Sequence, residues 1–269
     1  MQVIAIGAVE GVHPAVHRVE RTLGAVVDAV AGLPADDVVL ATRDDADRKL
    51  ARSARLVLGP ERIGLLHVDV PVTAWGVLLA GLCAQGLTAS SARVVADEVL
   101  SRTTTRALVS SVATLQSPTP TFRQHAGSYL PRTAFIVDTA RGTVGRFQGH
   151  FGMKDIGDVL VVARSAKPVV REAVGDLLSR TPDTELVGAE SVWTAGRWFE
   201  ASTIRGELGT AVANALSRSY LWGACDTCAR AVAGACIFCD ITERRARNPW
   251  TETPTSARPS LHDTQGVIS

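Results

Sequence analysis

The chain has 269 residues, of which 46% are hydrophobic, 20% charged and 5% aromatic, with a formal net charge of +1. Such a chain can bury a substantial core, so an intrinsically disordered polymer is excluded. Neither does the charge supply a global pull towards nucleic acid or an anionic membrane.

Gln2–Val9 is a compact apolar run and predicts a buried strand. His13–Ala31 carries Val16, Val19, Leu23, Val26, Val27 and Val30 at helical spacing, with Pro14 suited to a first turn. Asp37–Ala41 predicts a second strand and Arg43–Ser53 an exposed helix. Arg55–Leu58 and Arg62–Val70 read as two further short strands, which completes a β-α-β-α-β series typical of a parallel sheet.

The uncharged stretch Val70–Ala92 is long enough to span a bilayer. Pro71, Thr73, Gly76, Gln85, Gly86 and Thr88 interrupt it, so a core helix followed by a turn is predicted instead. Thr73–Gln85, Ser90–Ser101 and Thr103–Leu115 read as three consecutive helices, with serine caps before the second and third. Ser117-Pro-Thr-Pro120 breaks the series, and Thr121–Arg132 reads as a loop at a domain boundary.

Beyond it, Thr133–Thr139, the turn at Ala140–Gly142 and Thr143–Phe151 predict a hairpin. Asp158–Ala163, Thr184–Ala189 and Ser191–Ala201 read as strands, and Pro168–Ser179 and Ile204–Tyr220 as helices. Val3–Leu40 and Val159–Val187 share a strand, turn, proline-led helix, strand order that invites comparison as a repeat. Asn248–Ser269, rich in Pro, Thr and Ser, has too few apolar residues to offset ordering entropy and reads as a disordered tail.

The expected architecture is therefore α/β in the first half and α+β in the second. Residues 1–120 form an N-terminal α/β domain with a helical extension, 133–222 a second α+β unit, 223–247 a four-cysteine segment and 248–269 the tail. The N-terminus lacks a cationic leader with an apolar core, so a cytoplasmic location is expected. Only Lys49, Lys154 and Lys167 are lysines, a usage that with abundant alanine and valine points to a high-GC bacterial genome.

The chemical signal lies in Cys225, Cys228, Cys236 and Cys239. Two thiolates three positions apart can bite one tetrahedral ion from a tight turn, and a second pair completes the shell. In a reducing compartment such pairs bind metal more often than they form disulfides, and four sulfurs favour zinc. The knuckles lack the glycine that commonly follows the second cysteine. An iron–sulfur cluster, a dithiol–disulfide pair and a helical stripe compete with zinc. The stripe arises because Cys225 to Cys236 and Cys228 to Cys239 span about three helical turns. The lone Cys83 reads as a small buried hydrophobe.

Cys236-Ile-Phe-Cys239-Asp-Ile resembles the opening of histidine-triad nucleotide hydrolases, whose alternating histidines have no counterpart here beyond His262, so no family is assigned. Glu243–Arg247, with Arg230, could form a basic patch or a solvated helix end. Trp193, Arg197, Trp198 and Phe199 read as a half-buried sheet face or a ligand surface, and Asp138 to Gly142 as a turn with a local ion pair.

These residues predict a zinc-folded binding or regulatory protein that presents its C-terminal segment to a macromolecular partner, protein before nucleic acid, with no membrane role. Homo-oligomerisation through the helical middle is a further expectation. The competing expectation is a small-molecule enzyme whose site, at the carboxyl ends of the N-terminal strands, draws on Glu10, His13 or Asp69.

Overall fold

A computed structural model describes residues 1–7, 13–34, 37–130, 133–171, 174–190, 192–218 and 222–239. Glu10, the Glu243–Arg247 run and the Asn248–Ser269 tail lie outside the described residues.

The fold is α/β, built on two sheets. The first is wholly parallel, in the order β2-β1-β3-β4, from β1 (Gln2–Ile6), β2 (His17–Val19), β3 (Val38–Thr42) and β4 (Ile63–His67). Strands β1 and β3 read as apolar runs because both their faces are covered, whereas the short edge strand β2 is largely exposed. Ile4, Ile6, Val38, Leu40 and Ile63 pack under helices α1 (Leu23–Ala31) and α2 (Asp45–Leu58). Val3, Ala5, Val39, Ala41 and Leu66 face the other way, into the core around helix α3 (Val72–Leu82).

The second sheet is mixed, in the order β7-β6-β5-β10-β8-β9. Its strands are β5 (Thr103–Val109), β6 (Phe135–Asp138), β7 (Thr143–Arg146), β8 (Leu160–Arg164), β9 (Thr184–Val187) and β10 (Trp198–Ile204). All pairs are antiparallel except β8 with β9. Helix α3 lies between the two sheets and is buried along almost its whole length, so no polar face is expected of it. Its backbone comes so close to β8 that a Cβ on Gly76 would stand 3.0 Å from Val161. Helices α4 (Ala92–Arg102) and α7 (Leu208–Ser217) pack against each other beside it. Among the described residues, no helix is long and apolar enough to cross a membrane.

Several elements depart from the sequence expectation. The helix expected at His13–Ala31 begins only at Leu23, where the Thr22 hydroxyl accepts from the amide of Ala25 at 3.2 Å. His17–Val19 is instead a short parallel partner of β1. Arg55–Leu58 is the last turn of α2, not a strand. Asp44 caps this helix at its start, and the first residues that stop it are Gly59, at φ 88°, and Pro60.

Thr103–Leu115 is no helix. Thr103, Thr104 and Thr105 are β-branched and enter strand β5, in the interior of the second sheet. Thr121–Arg132 contains a short helix, α5 (Phe122–Gly127), opened by a capping box between Thr121 and Gln124. The helix expected over Pro168–Ser179 shrinks to α6 (Val174–Leu177), because Val169 and Val170 pack against the outer core instead. The strand expected at Ser191–Ala201 starts at Trp198 and continues through Ile204. Helix α7 starts correspondingly later, beyond Gly206.

Candidate metal centre

The helical stripe expected as an alternative for the cysteines is replaced by an antiparallel hairpin of β11 (Trp222–Ala224) and β12 (Ala231–Ala233). Cys225 and Cys228 lie in the loop that joins the two strands, and Cys236 and Cys239 in the turn that follows β12. In the first turn the amide of Ala229 donates to the carbonyl of Cys225 at 2.8 Å, and the amide of Cys225 donates to the carbonyl of Arg230 at 2.9 Å. Ala229 is left-handed, at φ 57°, and Gly234 reaches φ 78° just before the second turn.

The two turns bring four sulfurs together. Cys225 and Cys239 stand 3.8 Å apart, as do Cys228 and Cys236, and all four lie within 4.8 Å of one another. Four ligands at ~2.3 Å around a tetrahedral ion would lie roughly 3.8 Å from each other. The four cysteines are thus within metal-binding distance. The Cys225 sulfur also receives the backbone N–H groups of Cys228 and Thr227, which lower its thiol to about 6. Burial and the neighbouring thiols act the other way on Cys239. The lone Cys83, at the end of α3, is pushed up to about 11 by burial and lies outside the cluster.

The left-handed Ala229 occupies the position where glycine is expected in such a turn. Ala229→Gly is therefore expected to stabilise the metal-loaded protein by about 1 kcal/mol, read from denaturant titration, because the Cβ is strained in this conformation.

The hairpin is docked on the body through side chains that give no spacing signal. Strand β4 is an edge of the parallel sheet, and its Leu65 amide donates to the carbonyl of Ile237 at 2.8 Å. Ile237 lies over Gly64, where an added Cβ would collide with the Ile237 Cδ1. Ile237 and Phe238 are buried, and Arg55 donates to the carbonyl of Phe238. Arg230 lies 4.2 Å from the centre of the Phe238 ring and pairs with Asp37 at 3.3 Å. Arg230 is thus engaged with the body of the fold.

A second concavity, of about 350 Å³, opens at the carboxyl ends of β3 and β4, lined by Arg43, Asp44, Asp45, His67, Asp69 and Glu190 among others. Of the residues expected there, Asp69 lines it. His13 instead accepts from the amide of Ala15 in a local turn. His67, missed in the sequence because it closes an apolar strand, stands 3.1 Å from the buried Thr42 hydroxyl and 4.0 Å from Asp45. Burial, together with Arg48, lowers its affinity for a proton.

The expected local ion pair at Asp138 is present, and a closer one joins it from another strand. Arg141 is 3.9 Å away, whereas Arg106 of β5 approaches to 2.8 Å. Trp193 and Trp198 are both buried, so neither offers a ligand surface.

No family model matches the chain, and no curated protein does. Solved structures do share its architecture. A DegV family protein from Corynebacterium glutamicum is similar at 10% identity and a TM-score of 0.50, over 76% of this chain and 96% of that one. The fatty acid kinase B3 protein of Streptococcus pneumoniae, loaded with linoleic acid, gives 12% identity and a TM-score of 0.46, over 76% and 98%. The dihydroxyacetone kinase operon co-activator DhaQ gives 11% and 0.47, over 76% and 82%. At such identities the likeness is one of fold, and the first of the three places this chain among α/β proteins of that architecture.

Proposed function

We propose that the protein is a cytoplasmic binding or regulatory protein whose C-terminal hairpin is folded by one structural zinc ion held by Cys225, Cys228, Cys236 and Cys239. The observation that carries the reading is the convergence of four sulfurs within 4.8 Å of one another. A shell of four thiolates leaves no open position for substrate, which favours a structural site. The spacing also suits a single ion better than a multi-iron cluster, whose thiolates ligate different irons.

The metal would hold Ile237 and Phe238 against β4. It would thereby cover a sheet edge that is otherwise free to pair with other chains. The same fold leaves β11 exposed, with no second strand partner among the described residues. That favours a protein partner, recognised by strand addition, over nucleic acid. Arg230, the hairpin cation nearest the metal, is engaged with Asp37 and Phe238, which weakens the phosphate-contact alternative.

The test is elemental analysis of the purified, folded chain. About one zinc per chain, lost in Cys225→Ser/Cys239→Ser, is expected. A folded chain free of metal would overturn the reading.

A further inference from the structure

A cluster of positive charge lies on the second sheet. A cleft of about 640 Å³ is bounded by the start of β5, the β6–β7 turn, the segment around Lys154 and the residue that follows β10. Four cations line it, Arg106, Arg141, Lys154 and Arg205, against two carboxylates, Asp138 and Asp155.

The pairing inside the cleft is uneven. Asp138 is buried and holds Arg106 at 2.8 Å, with Arg141 at 3.9 Å from the same oxygen. Arg106 also donates to the carbonyls of Phe151 and Gly152, so its guanidinium is fixed in place. One carboxylate thus serves two arginines. Arg205 donates to the carbonyl of Ser101 at 3.2 Å and makes no ion pair among the described residues. Lys154 likewise has no carboxylate partner there. It is delivered by a segment in which Gly152 is left-handed at φ 68° and Asp155 at φ 55°. A non-glycine residue held in that region is strained, and the fold keeps it beside the cleft.

Two positive charges in excess, in a concave site, concentrate anions from solution. The whole chain carries a formal charge of only +1, so this excess is local. The hydroxyl of Thr104 also borders the cleft and can donate to an oxyanion, whereas those of Ser101 and Thr103 are donated to the carbonyls of Glu98 and Val99. Its volume falls in the range of small-molecule sites. We propose that this cleft binds a phosphorylated small molecule carrying at least two negative charges, held chiefly by Lys154 and Arg205, with Arg106 as a fixed wall and Arg141 at the rim. This site is independent of the zinc reading, since no cysteine contributes to it.

Inorganic pyrophosphate is the probe. Isothermal titration of the full chain is expected to give saturable binding with Kd below about 1 mM, weakening as salt is raised. Lys154→Ala and Arg205→Ala each remove an exposed side chain and are expected to keep the fold, with the thermal midpoint as the check. Each is expected to weaken binding about tenfold, while Lys49→Ala on α2 leaves it unchanged. Absence of binding, or equal binding by all three variants, overturns the proposal. So does tighter binding of a single-stranded oligonucleotide that the same two substitutions abolish, because the cleft would then serve a nucleic-acid backbone.

Discussion

Chelating the bound metal is expected to release the β11–β12 hairpin and expose the β4 edge while the rest of the parallel sheet stays folded. The hairpin buries little of its own. Val232, Ala233, Ile237 and Phe238 are its buried apolar residues, and three of these form part of the central core cluster. Burial of Ile237 and Phe238 contributes about 1.5–3 kcal/mol each. Ordering a backbone costs about 1–2 kcal/mol per residue, so those contacts alone cannot hold the segment. Structural zinc supplies about 10–16 kcal/mol in small peptides, several times what those two side chains contribute.

The reporter is the Leu65 amide, which points out of the sheet to the Ile237 carbonyl at 2.8 Å. Its hydrogen exchange is expected to accelerate at least a hundredfold on chelation or in Cys225→Ser/Cys239→Ser, a factor worth about 3 kcal/mol. Amides of β1 and β3, whose far face packs under α1 and α2, should keep their protection. Cys83→Ala, outside the cluster, should leave Leu65 protected. An unchanged Leu65 amide after complete metal removal would show that the hairpin docks without the ion.

How much of this was legible in the sequence follows from the range of each signal. Strands β1, β3 and β4 of the parallel sheet were, because burial makes Val38–Ala41 and its neighbours largely apolar, whereas the exposed His17–Val19 of β2 carries no such pattern. Thr103–Val109 reads as helix from the sequence because its neighbours form helices and its apolar residues fit either period. The β-branched threonines are the cue to a strand. The cysteines were legible because metal ligation demands local spacing. The docking of Ile237 on Gly64 was not, since it joins residues far apart in the chain and neither looks unusual alone. His67 and Arg106 were missed for the same reason, as their partners come from other strands. Glu200, an acid within the otherwise apolar run Trp198–Ala201, is an internal cue to a buried polar contact.

Glu200 carries the second large expectation: Glu200→Ala should destabilise the protein by about 3–5 kcal/mol. The side chain is fully buried in β10. One carboxylate oxygen accepts from the Thr73 amide at 2.9 Å and from the Thr73 hydroxyl at 2.6 Å. The other accepts from the Trp193 indole N–H at 2.5 Å. Helix α3 begins at Val72 without a side-chain cap of its own, so Glu200 supplies the cap from another element, where the helix dipole also favours a negative group. The Thr73 hydroxyl continues to Ser202 and thence to Thr105, at 2.6 Å for each step, which ties α3 to β10 and β5. Truncation would leave those donors buried without their acceptor, at about 1–3 kcal/mol each.

The isosteric Glu200→Gln separates hydrogen bonding from packing. Whichever way the amide turns, its NH₂ meets a donor, either the Thr73 amide or the Trp193 indole. It is therefore expected to cost about 1–3 kcal/mol. Adding Trp193→Phe removes one of those donors, so the two substitutions should couple by about 1 kcal/mol in a double-mutant cycle.

The pH dependence has a definite sign. Burial raises the Glu200 carboxyl above the ordinary glutamate range, outweighing the hydrogen bonds from Thr73 and Trp193 that lower it. A carboxyl that holds its proton more tightly when folded contributes most below the unfolded glutamate pKa. That contribution is lost as pH rises towards the folded value. The stability advantage of wild type over Glu200→Gln should therefore shrink as pH rises from about 4 through that window. Asp47, pushed up to about 6 mainly by burial, titrates in both proteins and cancels in the difference. Urea titrations of the two proteins across this range decide the matter. A difference that is flat with pH would mean that the carboxyl does not feel its burial, and one that is zero throughout would mean that it does not cap α3 either.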